Sequence, residues 1–289
     1  MGREQAVAAA PEYARILAEV PWLAGAIAGD ADAPVLTGSG LAAALADPGW
    51  VAARTAAGEA IFPMPGERGP RAHAQLWWYS LLGSLWRPAA AGILVAGAAP
   101  AADWAGWSMA LREGFWTAFA AAEFTPVPAG PAGPPPEADP VAGYGERIAG
   151  MLAPAIAALG EAAGVRPAPL WALVADEAAG AACGAGNELM EPRRGAAVGA
   201  RLAAGVARAT RAAGAPVPAP ARFAEVTPDS VAELDPLAGV GEEPDWDARA
   251  ALVRASCCMI YRSPVGELCA SCPRRARPER EAQWMARAL

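Results

Sequence analysis

The chain contains no lysine: every basic residue apart from His73 is an arginine. With so much alanine, glycine and proline beside it, this points to GC-rich coding, so bulk composition is weak evidence about function. A single histidine leaves no Ser-His-Asp arrangement to be argued. Positive charge is scarce too. The net charge of −7 argues against a broad nucleic-acid footprint and against attachment to an anionic membrane surface. Long apolar runs are missing. The amino-terminal MGREQAVAAAPEYARILAEV has no uninterrupted apolar core, so a signal peptide is not expected, and Ala6 stands where myristoylation wants Ser or Thr. The most apolar stretch, Ala72 to Trp107, is broken by Arg87, Pro88, Pro100 and Asp103 and reads as core rather than membrane span. Gly-rich segments such as GDADAPVLTGSG lack the G-x-G-x-x-G of nicotinamide and flavin sites, and no solenoid repeat is visible. The expectation is a cytoplasmic protein with no integral membrane segment and no nucleic-acid partner.

What is present is enough apolar material for a core. The 289 residues fit one large domain or two modest ones, and 54% are hydrophobic. Much of that is alanine, which buries little area, so the 11 tryptophans matter more. Helical spacing is compatible with residues 12–29 and 40–62, weakened by Pro21 and divided by Pro48. RAHAQLWWYSLLGSLW, residues 71–86, repeats Leu76, Tyr79, Leu82 and Trp86 at three- and four-residue steps, and Arg87-Pro88 is expected to end it. WSMAL and FWTAF flank Arg112-Glu113-Gly114 and predict a β-hairpin. The segment TPVPAGPAGPPPEADP is too proline-rich for a helix.

Three alanine-rich helices are predicted next, near 141–163, 168–183 and 193–213, with Pro167 and Pro169 at the start of the second and Pro192 before the third. A proline break at 216–220 and a loop-like acidic stretch through Glu243 follow, then a short helix from Asp245 to Ser256. The predicted fold class is mainly α with a small antiparallel β-hairpin and a C-terminal cysteine motif. The expected organisation is an N-terminal helical region with the hairpin (1–125), a Pro-rich linker (126–140), a helical region (141–243) and the cysteine motif (244–289).

Four of the five cysteines fall in RASCCMIYRSPVGELCASCPRR. Cys257 and Cys258 are adjacent, ten residues intervene, and Cys269 and Cys272 close a C-x-x-C. That turn lets two sulfurs face one centre, and Pro264-Val265-Gly266 can fold the vicinal pair back towards them. Four thiolates at one point repel strongly without a cation, so a metal is implied. Tetrathiolate sites suit zinc or iron–sulfur. Adjacent cysteines diverge, which is awkward for one tetrahedral ion and easier on a two-iron cluster; zinc stays the rival, with a disulfide behind it.

The string CC-x10-C-x2-C, with Tyr261-Arg262 after the pair and Pro273 after the last cysteine, resembles the C-terminal signature of FhuF-like ferric siderophore reductases. The resemblance covers Arg254 to Pro273, with a fainter likeness in LWWYSLL and LWALVADEAAGAACGAGN. It implies a 2Fe–2S cluster on Cys257, Cys258, Cys269 and Cys272. It also implies reduction of a ferric siderophore to release ferrous iron, with a protein or small molecule as electron donor. The alternatives are a zinc-stabilised, non-enzymatic binding protein and an accessory electron-transfer protein with another acceptor.

Other residues carry plainer readings. Arg254, Arg262, Arg274, Arg275 and Arg277 either attract an acidic partner or anionic chelate, or offset the cluster's charge. His73 is expected to be structural, and Cys183 a small buried thiol. The tryptophans 77, 78, 86, 104, 107 and 116 are expected in the core rather than around a siderophore. Asn187-Glu188 with Arg193 and Arg194 suits a pocket edge or helix-end chemistry equally. Asp176-Glu177 is read as a solvated helix face.

Overall fold

Three long helices carry the alanine and glycine of the second half. They are α6 (Pro140–Ala163), α7 (Pro167–Glu188) and α8 (Pro192–Ala212), each opening on a proline whose missing N–H costs nothing in the first turn. Asp139 caps α6 by accepting the Val141 N–H at 3.0 Å, and Gly164 closes it at φ +65°. Small residues let these helices approach backbone to backbone. A Cβ on Gly205 of α8 would lie 2.0 Å from the Ala142 carbonyl oxygen of α6, and one on Gly145 would lie 2.4 Å from that of Leu202. The composition that looked poor in buried area is what allows this packing.

The computed structural model describes residues 10–27, 35–130, 138–238 and 247–288. Its first half begins with α1 (Glu12–Glu19), a 3-10 turn at Pro21–Leu23 and α2 (Ala24–Ile27), so Pro21 does break the first predicted helix. Strand β1 (Val35–Thr37) leads to α3 (Gly38–Ala46) and α4 (Pro48–Ile61), separated at Pro48 as expected. Helix α5 (Gly69–Ala96) runs through the centre and is buried along most of its length. The expectation that Arg87-Pro88 would end it is corrected, because the helix continues eight residues past Pro88. The hydrogen bond lost at Pro88 is outweighed where Ala89, Ala90, Ile93 and Leu94 are all buried.

Strand β2 (Ala98–Pro100) pairs antiparallel with β5 (Phe124–Pro126). Between them β3 (Trp107–Arg112) and β4 (Trp116–Ala121) form the predicted hairpin, and β1 adds to the β3 edge. The hairpin turn places Glu113 and Gly114 at φ 53° and 71°, and the Phe115 N–H bonds the Arg112 carbonyl. Of the Pro-rich linker, residues 131–137 lie outside the described residues, and Pro140 already belongs to α6.

The acidic stretch after α8 is not loop throughout. It contains β6 (Phe223–Val226) and β7 (Val231–Leu234), and β6 also pairs antiparallel with β8 (Arg249–Leu252). The helix expected over Asp245 to Ser256 is likewise corrected: within its described part the chain is strand, then irregular backbone. Local preference for helix in ARAAL is overridden by tertiary pairing. The Asn187 side chain donates to the Ala250 carbonyl at 2.9 Å and accepts the Ala250 N–H at 2.8 Å, while β6 supplies the ladder. Helix α9 (Arg277–Ala288) ends the described chain.

Trp77, Trp78, Trp86 and Trp107 are fully buried, in a core that extends from Ile16 to Cys258. A smaller cluster of Ala224, Val226, Ala270 and Trp284 lies under the C-terminal segment. The fold is mainly α with small antiparallel sheets. Among the described residues no helix is long and apolar enough to cross a membrane.

Candidate metal centre

Strand β8 delivers the chain to a pair of acids on α7. Asp176 Oδ2 accepts the Ala255 N–H at 3.0 Å, the Ser256 N–H at 2.6 Å and the Ser256 hydroxyl at 2.5 Å. Arg254 lies with Nη2 2.9 Å from Glu177 Oε1, and its guanidinium covers the Tyr79 ring at 4.9 Å. The ion pair is close but not aligned as a hydrogen bond, so Arg254 Nε and Nη2 have no hydrogen-bond partner. Burial pushes both carboxyls up, opposed at Asp176 by the Ser256 hydrogen bonds and at Glu177 by Arg254. Burial also works against the Arg254 charge, yet Glu177, Tyr79 and Asp176 outweigh it and its pKa rises. The Glu177 charge raises Tyr79 to about 12, with burial adding to it.

The acid pair is therefore no solvated face: Asp176 is 6% and Glu177 8% exposed. A signal was available. Between Pro167 and Asn187 these are the only charges in an otherwise apolar helix, and charges in such a setting are buried only with partners.

The vicinal cysteines follow at once. Gln75 of α5 donates to the Cys257 carbonyl at 2.8 Å, and Cys258 is buried within the main core. Met259 takes φ 67°, which turns the chain into a 3-10 segment at Ile260–Arg262. The turn back is closed by the Gly266 N–H on the Ser263 carbonyl at 3.0 Å. Only glycine fits there, because a Cβ would lie 2.2 Å from the Ile260 carbonyl oxygen. The C-x-x-C turn has the Cys272 N–H on the Cys269 carbonyl at 3.1 Å, and Arg275 donates to the Leu268 carbonyl at 2.7 Å. Trp284 of α9 reaches the Ser271 hydroxyl at 3.3 Å.

The four thiols are thus brought together. Cys258 contacts Cys257 and Cys269, and Cys272 contacts both of those. Each sulfur also sits beside the amide two residues further on: Met259 for Cys257 (3.4 Å), Ile260 for Cys258, Ser271 for Cys269 and Arg274 for Cys272. Those amides stabilise thiolate. The contact with Cys258 pulls Cys257 and Cys269 down to about 6, and the same contacts push Cys258 up. Burial raises Cys272. Without a cation the cluster of sulfurs shares its protons; with all four ionised it demands one. Among the described residues no group of three or more His, Cys, Asp or Glu is arranged to hold a metal ion. Four thiols that each touch two of the others, with the Met259 amide donating to Cys257 at 3.4 Å, nonetheless fit a larger thiolate-held cluster as a donor set.

The family model of the FhuF 2Fe-2S C-terminal domain matches residues 254–274. The chain carries a FhuF-type 2Fe–2S domain. Its cofactor is a 2Fe–2S cluster, which bears out the resemblance read from the cysteine spacing and sets the zinc alternative aside. No curated protein and no solved structure matches the chain.

The FhuF-type segment engages most of the arginines that flank it. Arg254 is held by the α7 acids, Arg275 by backbone carbonyls and Arg277 by Glu281 at 2.6 Å. Arg274 and Arg262 lie against the Tyr261 ring at 4.7 and 6.0 Å. His73 is buried and bonded to the Phe62 carbonyl at 2.8 Å, as a structural histidine would be. Cys183 is buried in α7, and burial raises its thiol to about 12. Asn187 ties down β8, Arg193 pairs with Glu225 at 2.9 Å, and Arg194 pairs with Glu191. A cleft of about 650 Å³ opens beside the FhuF-type segment, lined by Tyr79, Arg254 and the two residues inside the C-x-x-C turn, Ala270 and Ser271.

Proposed function

We propose that the protein is a cytoplasmic iron–sulfur oxidoreductase that reduces a ferric siderophore and releases ferrous iron, with Cys257, Cys258, Cys269 and Cys272 as the cluster ligands. The observation that carries this reading is the placement of the FhuF-type C-x-x-C turn on the wall of the 650 Å³ cleft. That volume suits a small-molecule ligand. When bound, the cluster supplies one-electron transfer at a potential set by charge, hydrogen bonds to sulfur and exposure.

The chain's own residues do the rest. Asp176 holds the Ala255 and Ser256 amides, which orients the vicinal cysteines, and Trp284 braces Ser271 on the opposite half. Cys258 and Cys272 are buried, while Cys257 and Cys269 are half-buried. The cleft holds the chelate against this segment. One electron passes to the ferric ion, which becomes ferrous, binds its anionic oxygens less tightly and exchanges ligands faster. The electron is replaced by a protein or small-molecule donor, in keeping with a sequence that has no nicotinamide or flavin fingerprint.

The test is anaerobic. The holoprotein is reduced, freed of excess reductant, and mixed in turn with ferric hydroxamate and catecholate chelates while the visible spectrum and ferrous trapping are followed. Stoichiometric reoxidation with matching ferrous iron is expected. If no ferric chelate accelerates reoxidation over buffer while another acceptor does, the reductase reading fails and the accessory carrier replaces it.

A further inference from the structure

The cleft beside the C-x-x-C turn does not end at Arg254. A second cavity, of about 270 Å³, shares Trp22, Tyr79 and Arg87 with it and extends to the hairpin of β3 and β4. The two adjoin along these three side chains, and together they line a groove-like path from the C-x-x-C turn to the hairpin. Five arginines line it against three carboxylates, in a protein whose net charge is −7. Asp176 is engaged by the Ser256 loop and Arg254 by Glu177, so the walls away from the cluster segment keep more arginines, Arg87 and Arg112 among them, than carboxylates.

Two further observations point to a ligand. At the far end Thr117, 1% exposed, belongs to the wall, and its buried hydroxyl has no hydrogen-bond partner; Arg112 Nε, of the same wall, also lacks one. Unpaired buried polar atoms are costly, and a ligand that supplies oxygen acceptors would satisfy them. At mid-groove Trp22 is 41% exposed, among the few large apolar side chains left so, and the Arg87 guanidinium lies over its ring at 5.6 Å. Such a pair offers an aromatic face and a bidentate donor to the same ligand.

We propose that this groove is the docking site of the substrate chelate and that it selects elongated ferric chelates of net negative charge. Arg87 and Trp22 grip the chelate at mid-groove, and Thr117 with Arg112 binds ligand oxygens at the end remote from the C-x-x-C turn. Part of the chelate's periphery therefore reaches the hairpin while its iron lies near Ser271. The inference rests on the reductase reading for the identity of the ligand, but binding is measurable without electron transfer.

The probes are gallium(III) complexes, which mimic ferric chelates in charge and shape without accepting an electron. A gallium tris-catecholate of charge −3 and a neutral gallium tris-hydroxamate are titrated into the holoprotein and followed by tryptophan fluorescence and calorimetry. The anionic complex should bind the wild type more tightly. Arg87→Gln should weaken it roughly tenfold, as loss of a charge-assisted hydrogen bond does, and should change the neutral complex less than twofold. Thr117→Val removes a hydroxyl with no partner, so it should fold as the wild type does and weaken the anionic complex roughly fivefold. Equal affinity for the two complexes, no binding of either, or wild-type affinity in both variants would overturn the inference. If ferric chelates reoxidise the reduced protein while both variants behave as wild type, the reductase reading stands and this groove is not its site. If the gallium complexes bind in the expected pattern but no ferric chelate is reduced, the groove stands and the reductase reading falls.

Discussion

Replacing Asp176 by alanine removes one oxygen that accepts three hydrogen bonds, from Ala255 N, Ser256 N and Ser256 Oγ. A buried donor left unpaired costs about 1–3 kcal/mol, which for three donors sets an upper range of roughly 3–9 kcal/mol. The loss is smaller in practice. Burial disfavours the carboxylate, so its removal returns part of the desolvation cost, and Arg254 keeps Glu177 at 2.9 Å. The loop can also open locally and give its amides to water. We therefore expect about 3 kcal/mol, confined to residues 253–274, which is roughly two decades in the local opening equilibrium. Asp176→Asn keeps the shape and one acceptor and should cost about half as much. The assay pairs iron and sulfide per chain with limited proteolysis after Arg254, against far-UV circular dichroism as a report on α5 to α8. Asp176→Ala should lose cluster and gain cleavage at Arg254 while its helical signal stays. Full iron content with wild-type protection at Arg254 would refute the assignment of Asp176 as the holder of this loop.

Serine in place of any one of Cys257, Cys258, Cys269 or Cys272 should strip visible absorbance and acid-labile sulfide, whereas Cys183→Ser should leave both; a Cys258→Ser protein with its full cluster would refute four-thiolate ligation. Gly205→Ala sets a methyl 2.0 Å from the Ala142 carbonyl oxygen and should destabilise by about 2 kcal/mol, seen as a lower Tm, where an open helix site would gain about 1 kcal/mol from the same change. Asp139, paired with Arg201, is partly desolvated by burial, yet Arg201 prevails and its carboxyl lies below the usual 3.8. The folded state therefore binds that proton less readily than the unfolded chain. Its contribution is present above pH 3.8 and is lost as pH falls through the lower folded value. Asp139→Asn should flatten the acid limb of the unfolding curve there; an unchanged limb would count against the pair.

The cysteine motif was legible because its meaning lies in local spacing. Two adjacent thiols, ten residues and a C-x-x-C are fixed by the covalent chain, and four thiolates need a cation wherever the chain puts them. The hairpin was legible for the same reason, since Glu113-Gly114 must turn with positive φ between two apolar runs. The three helices after the linker declared themselves by continuous helix-forming residues, the second and third also by first-turn prolines. Tertiary structure decided what depends on partners far along the chain. ARAAL prefers helix alone and is a strand only because β6 and Asn187 take its backbone groups. Asp176 and Glu177 looked solvated until Arg254 and Ser256, some 80 residues away, supplied the partners that make their burial affordable. The groove is the clearest case. Trp22, Arg87 and Thr117 share no local pattern, and their meeting beside the C-x-x-C turn exists only once α2, α5 and the hairpin have packed.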